Sequence, residues 1–233
     1  MAARAPNGTG VWAVVAAAGR GERLGSEYPK AFAKLRGRPL VAESIERLDG
    51  SAWIEAIVVV APEGWEEPVI LLAEELAAEK VTAVVTGGAT RPDSVRIGLA
   101  DVPEEVAVIL VHDAARPLVS GAVIERVLAP LGEGWDGAAP AVPVADTLKR
   151  AAADGGVLET VDRTGLHAVQ TPQAFVATVL RGAFTGADAR TTDCAALVEA
   201  AGGRVRLVDG DTRLLKVTTS ADLALVEALL AGE

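Results

Sequence analysis

The stretch VWAVVAAAGRGERLG, from Val11 to Gly25, decides the fold. Its first seven residues are continuously apolar, which is typical of a strand that is covered on both faces in a parallel sheet. A glycine-rich loop follows at the carboxyl end of this strand, the end at which open α/β sheets bind ligands. The stretch therefore predicts a central β-strand that leads directly into a ligand-binding loop.

The same alternation of strand and helix continues along the chain. Further apolar runs of strand length occur at Ile54–Ala61, Thr82–Thr86 and Val106–Val111. Amphipathic segments of helical period separate them, at Leu40–Leu48, Trp65–Glu79, Pro92–Leu99 and Ser120–Leu131. Repetition of this kind predicts an α/β fold with a mostly parallel sheet.

The sequence changes character after Pro140. A strand is predicted at Pro140–Val144, and Ala145–Gly165 has the alternation and the central Asp-Gly-Gly of a β-hairpin. Such a hairpin has little core of its own, so we expect it to pack on something else. The remaining predictions are strands at Ala168–Gln170, Arg204–Val208 and Leu214–Val217, and helices near Gln173–Ala183, Asp193–Ala201 and Ala221–Leu230.

Composition excludes several classes of protein. The 233 residues carry a net charge of -10 and only 3% are aromatic, which disfavours nucleic acid and anionic membranes as partners. One cysteine and two histidines offer no metal-ligand motif, and no apolar run is long enough for a membrane helix. We expect a flexible terminus over residues 1–10, a single domain over 11–233, and a cytoplasmic location.

Cations cluster around the first glycine loop. Arg20, Arg23, Lys30 and Lys34 lie within or just after it, although the chain as a whole is acidic. The loop matches neither a Walker A motif nor a dinucleotide-binding fingerprint. Because glycine backbone and nearby cations together suit phosphate oxygens, the loop favours a polyphosphate ligand, and a solvated turn is the alternative.

Two further segments follow predicted strands at the same edge of the sheet. One of them, His112-Asp113-Ala114-Ala115-Arg116, places an aspartate and an arginine there. Asp113 could orient a hydroxyl or lie near a phosphate-bound Mg²⁺, and Arg116 could bind a phosphate through two hydrogen bonds; a buried structural pair is the alternative. We expect His112 to be structural. Gly87-Gly88-Ala89 could present backbone to a base edge, with Ser94 nearby, or could be an ordinary turn into a helix.

Together these segments resemble the 2-C-methyl-D-erythritol 4-phosphate cytidylyltransferase family from Val11 to about Leu230. No one of the shared motifs is decisive, but their order along the chain is specific. The motifs are AAGRGERL at Ala17–Leu24, PKAF at Pro29–Phe32, GGATRPDSV at Gly87–Val95, VHDAARP at Val111–Pro117, DTLKR at Asp146–Arg150, TVDRTGL at Thr160–Leu166, QTPQAF at Gln170–Phe175, TTD at Thr191–Asp193 and LKVTTSADL at Leu215–Leu223.

The resemblance implies a Rossmann-like domain whose hairpin, at about residues 145–165, is a dimerisation arm. It implies transfer of CMP from CTP to 2-C-methyl-D-erythritol 4-phosphate with release of pyrophosphate, by a homodimer with shared active sites and with Mg²⁺ bound mainly through the CTP phosphates. The site residues it implies are Arg23, Lys30, Arg163 and Lys216 for catalysis; Ala17, Ala18, Gly19, Gly87, Gly88, Ser94 and Ala114 for CTP; and Asp113, Arg116, Thr147 and Thr171 for the acceptor.

Two alternatives and two departures remain open on the sequence. A ribitol 5-phosphate cytidylyltransferase has a very similar pattern, and a catalytically silent nucleotide-sensing homologue would keep the fold. Ala89 stands where a polar or acidic residue is more usual in the family, and Cys194 where an acidic residue is. These two departures leave the expected cations unchanged.

Overall fold

The structure, a computed structural model, describes residues 9–19, 21, 28–185 and 193–232. Its strands are β1 (Thr9–Ala16), β2 (Lys34–Leu35), β3 (Arg38–Pro39), β4 (Ala56–Ala61), β5 (Val81–Thr86), β6 (Val106–Asp113), β7 (Gly137–Pro143), β8 (Leu148–Ala151), β9 (Val157–Val161), β10 (His167–Val169), β11 (Gln173–Val176) and β12 (Val205–Asp209). Its α-helices are α1 (Leu40–Asp49), α2 (Glu66–Glu75), α3 (Arg91–Ala100), α4 (Gly121–Gly132), α5 (Ala177–Thr185), α6 (Cys194–Ala200) and α7 (Ser220–Ala231), and a short 3-10 helix covers Lys30–Phe32.

One eight-stranded sheet organises the fold. Its order is β10-β7-β11-β6-β1-β4-β5, and β12 pairs with β7 beside this path. The pairs β1–β4, β1–β6, β4–β5 and β7–β12 are parallel, whereas β10 and β11 run antiparallel to their neighbours. The predicted α/β class with a mostly parallel sheet is confirmed.

Helices cover the sheet on both faces, as predicted. Along β4, Ile57 and Val59 point into the core formed with α1, α2 and α4, whereas Val58 and Val60 point into the core formed with α3, α5 and α6. All six residues of β4 are buried, which explains why its sequence is continuously apolar. The two covered faces fix the register of the strands, and hence the positions of the loops at their carboxyl ends.

Two predicted elements were wrong. The segment Gln173–Val176 is the strand β11, inserted antiparallel between β6 and β7, and the helix begins only at Ala177. Periodicity cannot separate a short buried strand from a helix start, and Phe175 is fully buried. Leu214–Val217 is not a strand; one backbone–backbone hydrogen bond joins it to the loop after β6, from the Val217 N–H to the Ala115 carbonyl at 2.8 Å.

The hairpin stands apart from the main sheet. Among the described strands, β8 and β9 pair only with each other, around a turn in which Gly155 has a φ of +85°. Val157 and Leu158 on β9 are 64% and 65% exposed. A lone two-stranded hairpin is only marginally stable in water, and these two apolar side chains are left exposed in the single chain.

The amino terminus is described only in part. Residues 1–8 of the expected flexible segment lie outside the described residues, and Thr9 and Gly10 begin β1. Within the described ranges, no helix combines the length and the apolar character needed to cross a bilayer.

Candidate active site

A cavity of about 840 Å³ lies at the carboxyl ends of the central strands. Its walls come from the loops after β1, β5 and β6 and from the segment that follows β12. The described residues that line it are Ala16, Ala17, Ala18, Gly19, Gly21, Lys30, Ala31, Gly88, Ala89, Thr90, Arg91, Ser94, Asp113, Ala114, Ala115 and Lys216. This volume suits a nucleotide-sized ligand.

Small residues let two loops approach each other closely at the cavity wall. A Cβ on Gly87 would lie 2.2 Å from the Cβ of Ala18, and a Cβ on Gly88 would lie 2.5 Å from that of Asp93. The Ser94 hydroxyl accepts a hydrogen bond from the Gly88 N–H at 3.1 Å and donates to the Thr90 carbonyl at 2.9 Å. Gly87 and Gly88 therefore form a turn that has no room for a Cβ, and the hydrogen bonds of Ser94 stabilise it. Gly87 itself lines a second cavity of about 460 Å³ that shares Ala18, Gly88 and Ala89 with the first.

Lys30 reaches the cavity from the short 3-10 helix. Gly21 passes so close that a Cβ there would lie 2.4 Å from the Cβ of Lys30, and its φ of +71° also favours glycine. Gly21 and Lys30 are thus in close contact. Arg23, the other cation expected here, lies outside the described residues.

Asp113 lies between two cations at the carboxyl end of β6. Its Oδ1 accepts from Arg91 Nε at 2.8 Å and its Oδ2 accepts from Lys216 Nζ at 2.6 Å. The aspartate side chain is 9% exposed. Burial alone would raise the pKa of Asp113, but the two cations more than offset it and hold that pKa well below its usual range. Asp113 is therefore a fixed anion.

A buried hydrogen-bond network supports Asp113 from behind. The Thr171 hydroxyl accepts from the Asp113 N–H at 3.0 Å and lies 3.3 Å from His112 Nδ1, while His112 Nε2 lies 3.1 Å from the Arg116 carbonyl. These contacts fit a neutral imidazole that accepts at Nδ1 and donates at Nε2. Burial lowers the pKa of His112 to about 4, so it stays neutral near pH 7. His112 is placed as a structural group, as expected.

Arg116 and Ala115 hold the segment that carries Lys216. The Arg116 guanidinium donates to the carbonyls of Leu214 and Val169, and the Ala115 carbonyl accepts from the Val217 N–H at 2.8 Å. Arg116 does not line the cavity, and neither does Thr171. In this chain both residues support the cavity wall through the backbone.

The two expected arm residues lie elsewhere. Thr147 and Arg163 are exposed and line neither cavity, and Arg163 donates to the carbonyls of Val144 and Ala145 at the base of the arm. The structure thus brings Lys30, Asp113 and Lys216 together with the glycine loops. It leaves the arm residues outside the cavity of their own chain.

Sequence reasoning missed Arg91 as a site residue. Arg91 is the first residue of α3, which Thr90 caps by accepting from the Asp93 N–H. Its position after the carboxyl end of β5 was the available signal, because the loops after β5 and β6 face the same crevice. Among the described lining residues, three side chains are cationic (Lys30, Arg91 and Lys216) and one is anionic.

A covered parallel sheet with a cationic, glycine-walled cleft at its carboxyl edge defines an α/β enzyme that binds phosphorylated nucleotides. Residues 11–232 match the family model described as 2-C-methyl-D-erythritol 4-phosphate cytidylyltransferase. The chain belongs to this family of nucleotidyltransferases, as the sequence motifs predicted.

Relatives and solved structures agree with this assignment. The chain is 47% identical to the 2-C-methyl-D-erythritol 4-phosphate cytidylyltransferase of Frankia casuarinae, over 95% of this chain and 81% of the relative. It is 46% identical to the enzyme of the same name from Nocardia farcinica, over 97% and 96%. The crystal structure of the Thermus thermophilus cytidylyltransferase aligns with a TM-score of 0.75 at 32% identity, covering 96% of this chain and 99% of that one.

Proposed function

We propose that the chain transfers CMP from CTP to 2-C-methyl-D-erythritol 4-phosphate, releasing pyrophosphate, in the non-mevalonate route to isoprenoid precursors. The observation that carries the proposal is the cationic cluster of Lys30, Arg91 and Lys216 at a glycine-walled cavity of about 840 Å³ in an otherwise acidic chain. The family match over residues 11–232 supports the choice of nucleotide and acceptor.

The proposed roles fall into two groups, one for the nucleotide and one for the acceptor. Lys30, with Arg23 and the loop of Ala17, Ala18 and Gly19, would hold the triphosphate. The cytidine would be faced by Gly87, Gly88, Ser94 and Ala114. Lys216 would receive the acceptor phosphate near Asp113. Arg116 and Thr171 would act on the acceptor indirectly, since both hold the backbone of the wall.

The proposed reaction needs no general base. The attacking oxygen belongs to a phosphate that is already ionised near pH 7, and the neutral, buried His112 is not positioned to take a proton from it. The barrier is instead the repulsion between two anions that must meet in line. Cations held on both sides of the α-phosphorus lower this barrier by positioning the reactants and by stabilising the developing charge.

Mg²⁺ is part of the proposal as an ion carried by the nucleotide. No group of three or more potential ligands of the His, Cys, Asp or Glu type is present in the part of the chain that the structure describes. Both oxygens of Asp113 already accept from cations. These observations fit an ion that the triphosphate and water would hold, with Asp113 at most nearby. When bound, Mg²⁺ would neutralise charge on the phosphates.

A homodimer with shared active sites is the proposed assembly. The arm carries exposed Val157 and Leu158 and places Thr147 and Arg163 outside the cavity of its own chain. Docking of the arm on a second copy would cover the apolar residues and could bring Arg163 to the partner's acceptor site. Gel filtration with light scattering tests the dimer. The cytoplasmic location remains a separate prediction, which cell fractionation would test.

Turnover with two acceptors tests the function. Purified protein with CTP and Mg²⁺ is expected to release pyrophosphate with 2-C-methyl-D-erythritol 4-phosphate and to use ribitol 5-phosphate poorly. The reverse preference would assign the chain to the ribitol phosphate enzymes. Binding of CTP without turnover on either acceptor would instead favour a silent nucleotide sensor.

A further inference from the structure

Arg91 is a cation in the cavity to which the sequence assigned no role. It is the first residue of α3, and its side chain is 22% exposed. Its Nε donates to Asp113 Oδ1 at 2.8 Å, and its Nη1 lies 3.8 Å from the sulfur of Cys194. Arg91 is thus held from two sides, by β6 and by the start of α6.

Lys216, the second partner of Asp113, is less constrained. Its side chain is 40% exposed, compared with 22% for Arg91. It extends from a segment without regular secondary structure, whereas Arg91 begins a capped helix. Of the two cations on Asp113, Lys216 is therefore the one that can turn toward a ligand in the cavity.

Rotation of the Lys216 side chain away from Asp113 and toward an anion costs free energy, and the amount depends on Arg91. If Lys216 were the sole counter-charge, its departure would leave the buried Asp113 carboxylate unpaired, which is strongly unfavourable. With Arg91 in place, Asp113 keeps a charged hydrogen bond on its other oxygen. The two cations and one carboxylate also leave a net positive charge, which attracts a phosphate.

We infer that Arg91 is a positioning residue that neutralises Asp113 and so leaves Lys216 available to the acceptor phosphate. This role rests on the proposed function, because it concerns the acceptor side of the same site. Arg91 acts through Asp113 and Lys216 and need not touch either substrate.

Cys194 strengthens this role by being uncharged. Burial raises the pKa of its thiol to about 11, so Arg91 meets a neutral group on that side. The nearby Asp193 is occupied elsewhere, since its carboxylate accepts from the Ala196 N–H at 2.9 Å and from the Gln173 side chain at 3.1 Å. The charge of Arg91 is therefore directed to Asp113.

The first test compares Arg91→Gln with Arg91→Lys in steady-state kinetics. Arg91→Gln removes the charge and is expected to raise KM for the acceptor by about tenfold to a hundredfold, the effect of losing a charged hydrogen-bond partner. The KM for CTP is expected to change by less than about threefold. Arg91→Lys keeps the charge and should recover most of the acceptor affinity.

Arg96→Gln is the matched control. Arg96 lies on the same helix, is 61% exposed and pairs loosely with Asp93 at 3.7 Å, so its loss should leave both KM values unchanged. An equal rise in KM for CTP and for the acceptor in Arg91→Gln would overturn the role. The role would also be overturned if Arg91→Lys failed to recover activity while circular dichroism showed it to be folded. If Arg91→Gln does not fold, the result for Arg91→Lys alone tests the role.

A double-mutant cycle separates an indirect role from direct contact with substrate. In an Asp113→Asn background no carboxylate charge is left to neutralise, so Arg91→Gln should lower kcat/KM by no more than about twofold. Effects that multiply in full would show that Arg91 acts on substrate itself. An inactive wild-type protein would overturn the proposed function and this role together, whereas an active wild type with an unchanged Arg91→Gln variant would overturn this role alone.

Discussion

The end of β6 and the hairpin arm are built in opposite ways. At the end of β6, Asp113 and His112 are buried, and each oxygen of Asp113 has a charged partner within 2.8 Å. On the arm, Arg163 is exposed and donates to two carbonyls of its own chain. The ion pairs of Asp113 are complete within a single chain, whereas the arm holds Arg163 away from the cavity of that chain.

This difference indicates a division of labour in the site. The residues that must hold a fixed geometry lie on sheet ends covered by two cores, where packing determines their positions. In the proposed dimer, the positions of the arm residues would depend on the second chain. We therefore expect substitutions on the arm to affect turnover without affecting the fold, and substitutions at the sheet end to affect both.

The largest expected effect is that of Arg163→Ala. Loss of this arginine should lower kcat by about 10³-fold or more, as for a positioned arginine in phosphoryl transfer, while the melting temperature stays that of the wild type. The measurements are steady-state pyrophosphate release and thermal unfolding. Arg150→Ala is the control, because Arg150 is exposed on the same arm and pairs with Glu159 at 2.6 Å. Similar losses in both variants would mean that the arm acts only as a scaffold.

Gly87→Ala should have an intermediate effect, at the sheet end. The new Cβ would lie 2.2 Å from that of Ala18, so the two loops must separate. Overpacking of this kind costs about 1–3 kcal/mol, which corresponds to roughly a 5- to 150-fold loss of CTP affinity if the strain falls on the site. Isothermal titration calorimetry with CTP measures it.

Gly182→Ala provides the reference for that experiment. Gly182 lies within α5, and a Cβ there would meet nothing within 4 Å among the described residues. Alanine should be tolerated or slightly stabilising at this position, with CTP affinity unchanged. Equal CTP affinity in the Gly87→Ala and Gly182→Ala variants would show that the glycine pair does not shape the nucleotide site.

The last expected effect is on the pH dependence of stability and not on catalysis. Burial lowers the pKa of His112 to about 4 in the folded chain, from an ordinary value of 6.5. Between pH 6.5 and 4, the His112 imidazole is therefore protonated in the unfolded chain but neutral in the folded chain. The free energy of unfolding consequently falls as the pH drops from 6.5 toward 4. This contribution is at most about 1.4 kcal/mol per pH unit.

Denaturant unfolding at several pH values between 7 and 4.5 measures this contribution. His112→Gln removes the titrating group, so the free energy of unfolding of the variant should vary less with pH than that of the wild type. Asp113 does not obscure the comparison, because its lowered pKa affects stability mainly below about its ordinary value of 3.8. Identical slopes in the two proteins would contradict the buried, neutral state of His112.

Much of the fold could be predicted because its strands are buried on both faces. The predicted run Val106–Val111 matches the start of β6, and Ser120–Leu131 lies within one residue of α4. Predictions failed where tertiary contacts decide the structure. Gln173–Val176 forms a strand because it can pair with both β6 and β7. Leu214–Val217 forms none because it has one backbone–backbone hydrogen bond to the loop after β6 and, within the described residues, no ladder of such bonds.

The charged residues of the site were only partly predictable. Lys216 and Asp113 are 103 residues apart in sequence, and motifs identified both before their contact was known. Arg91 was missed because its position after the carboxyl end of β5 was the one available signal and does not reveal the partner of its side chain. Its role follows only from its hydrogen bond to Asp113, 22 residues away.

Mixed dimers test the division of labour most directly. Arg163→Ala and Lys30→Ala subunits carrying different affinity tags are co-expressed, and the heterodimer is purified through both tags. Each homodimer should be inactive, whereas the heterodimer should regain about half of the wild-type activity, because one of its two sites combines an intact Lys30 with the partner's intact arm. A heterodimer as inactive as its parents would contradict a site shared between two chains.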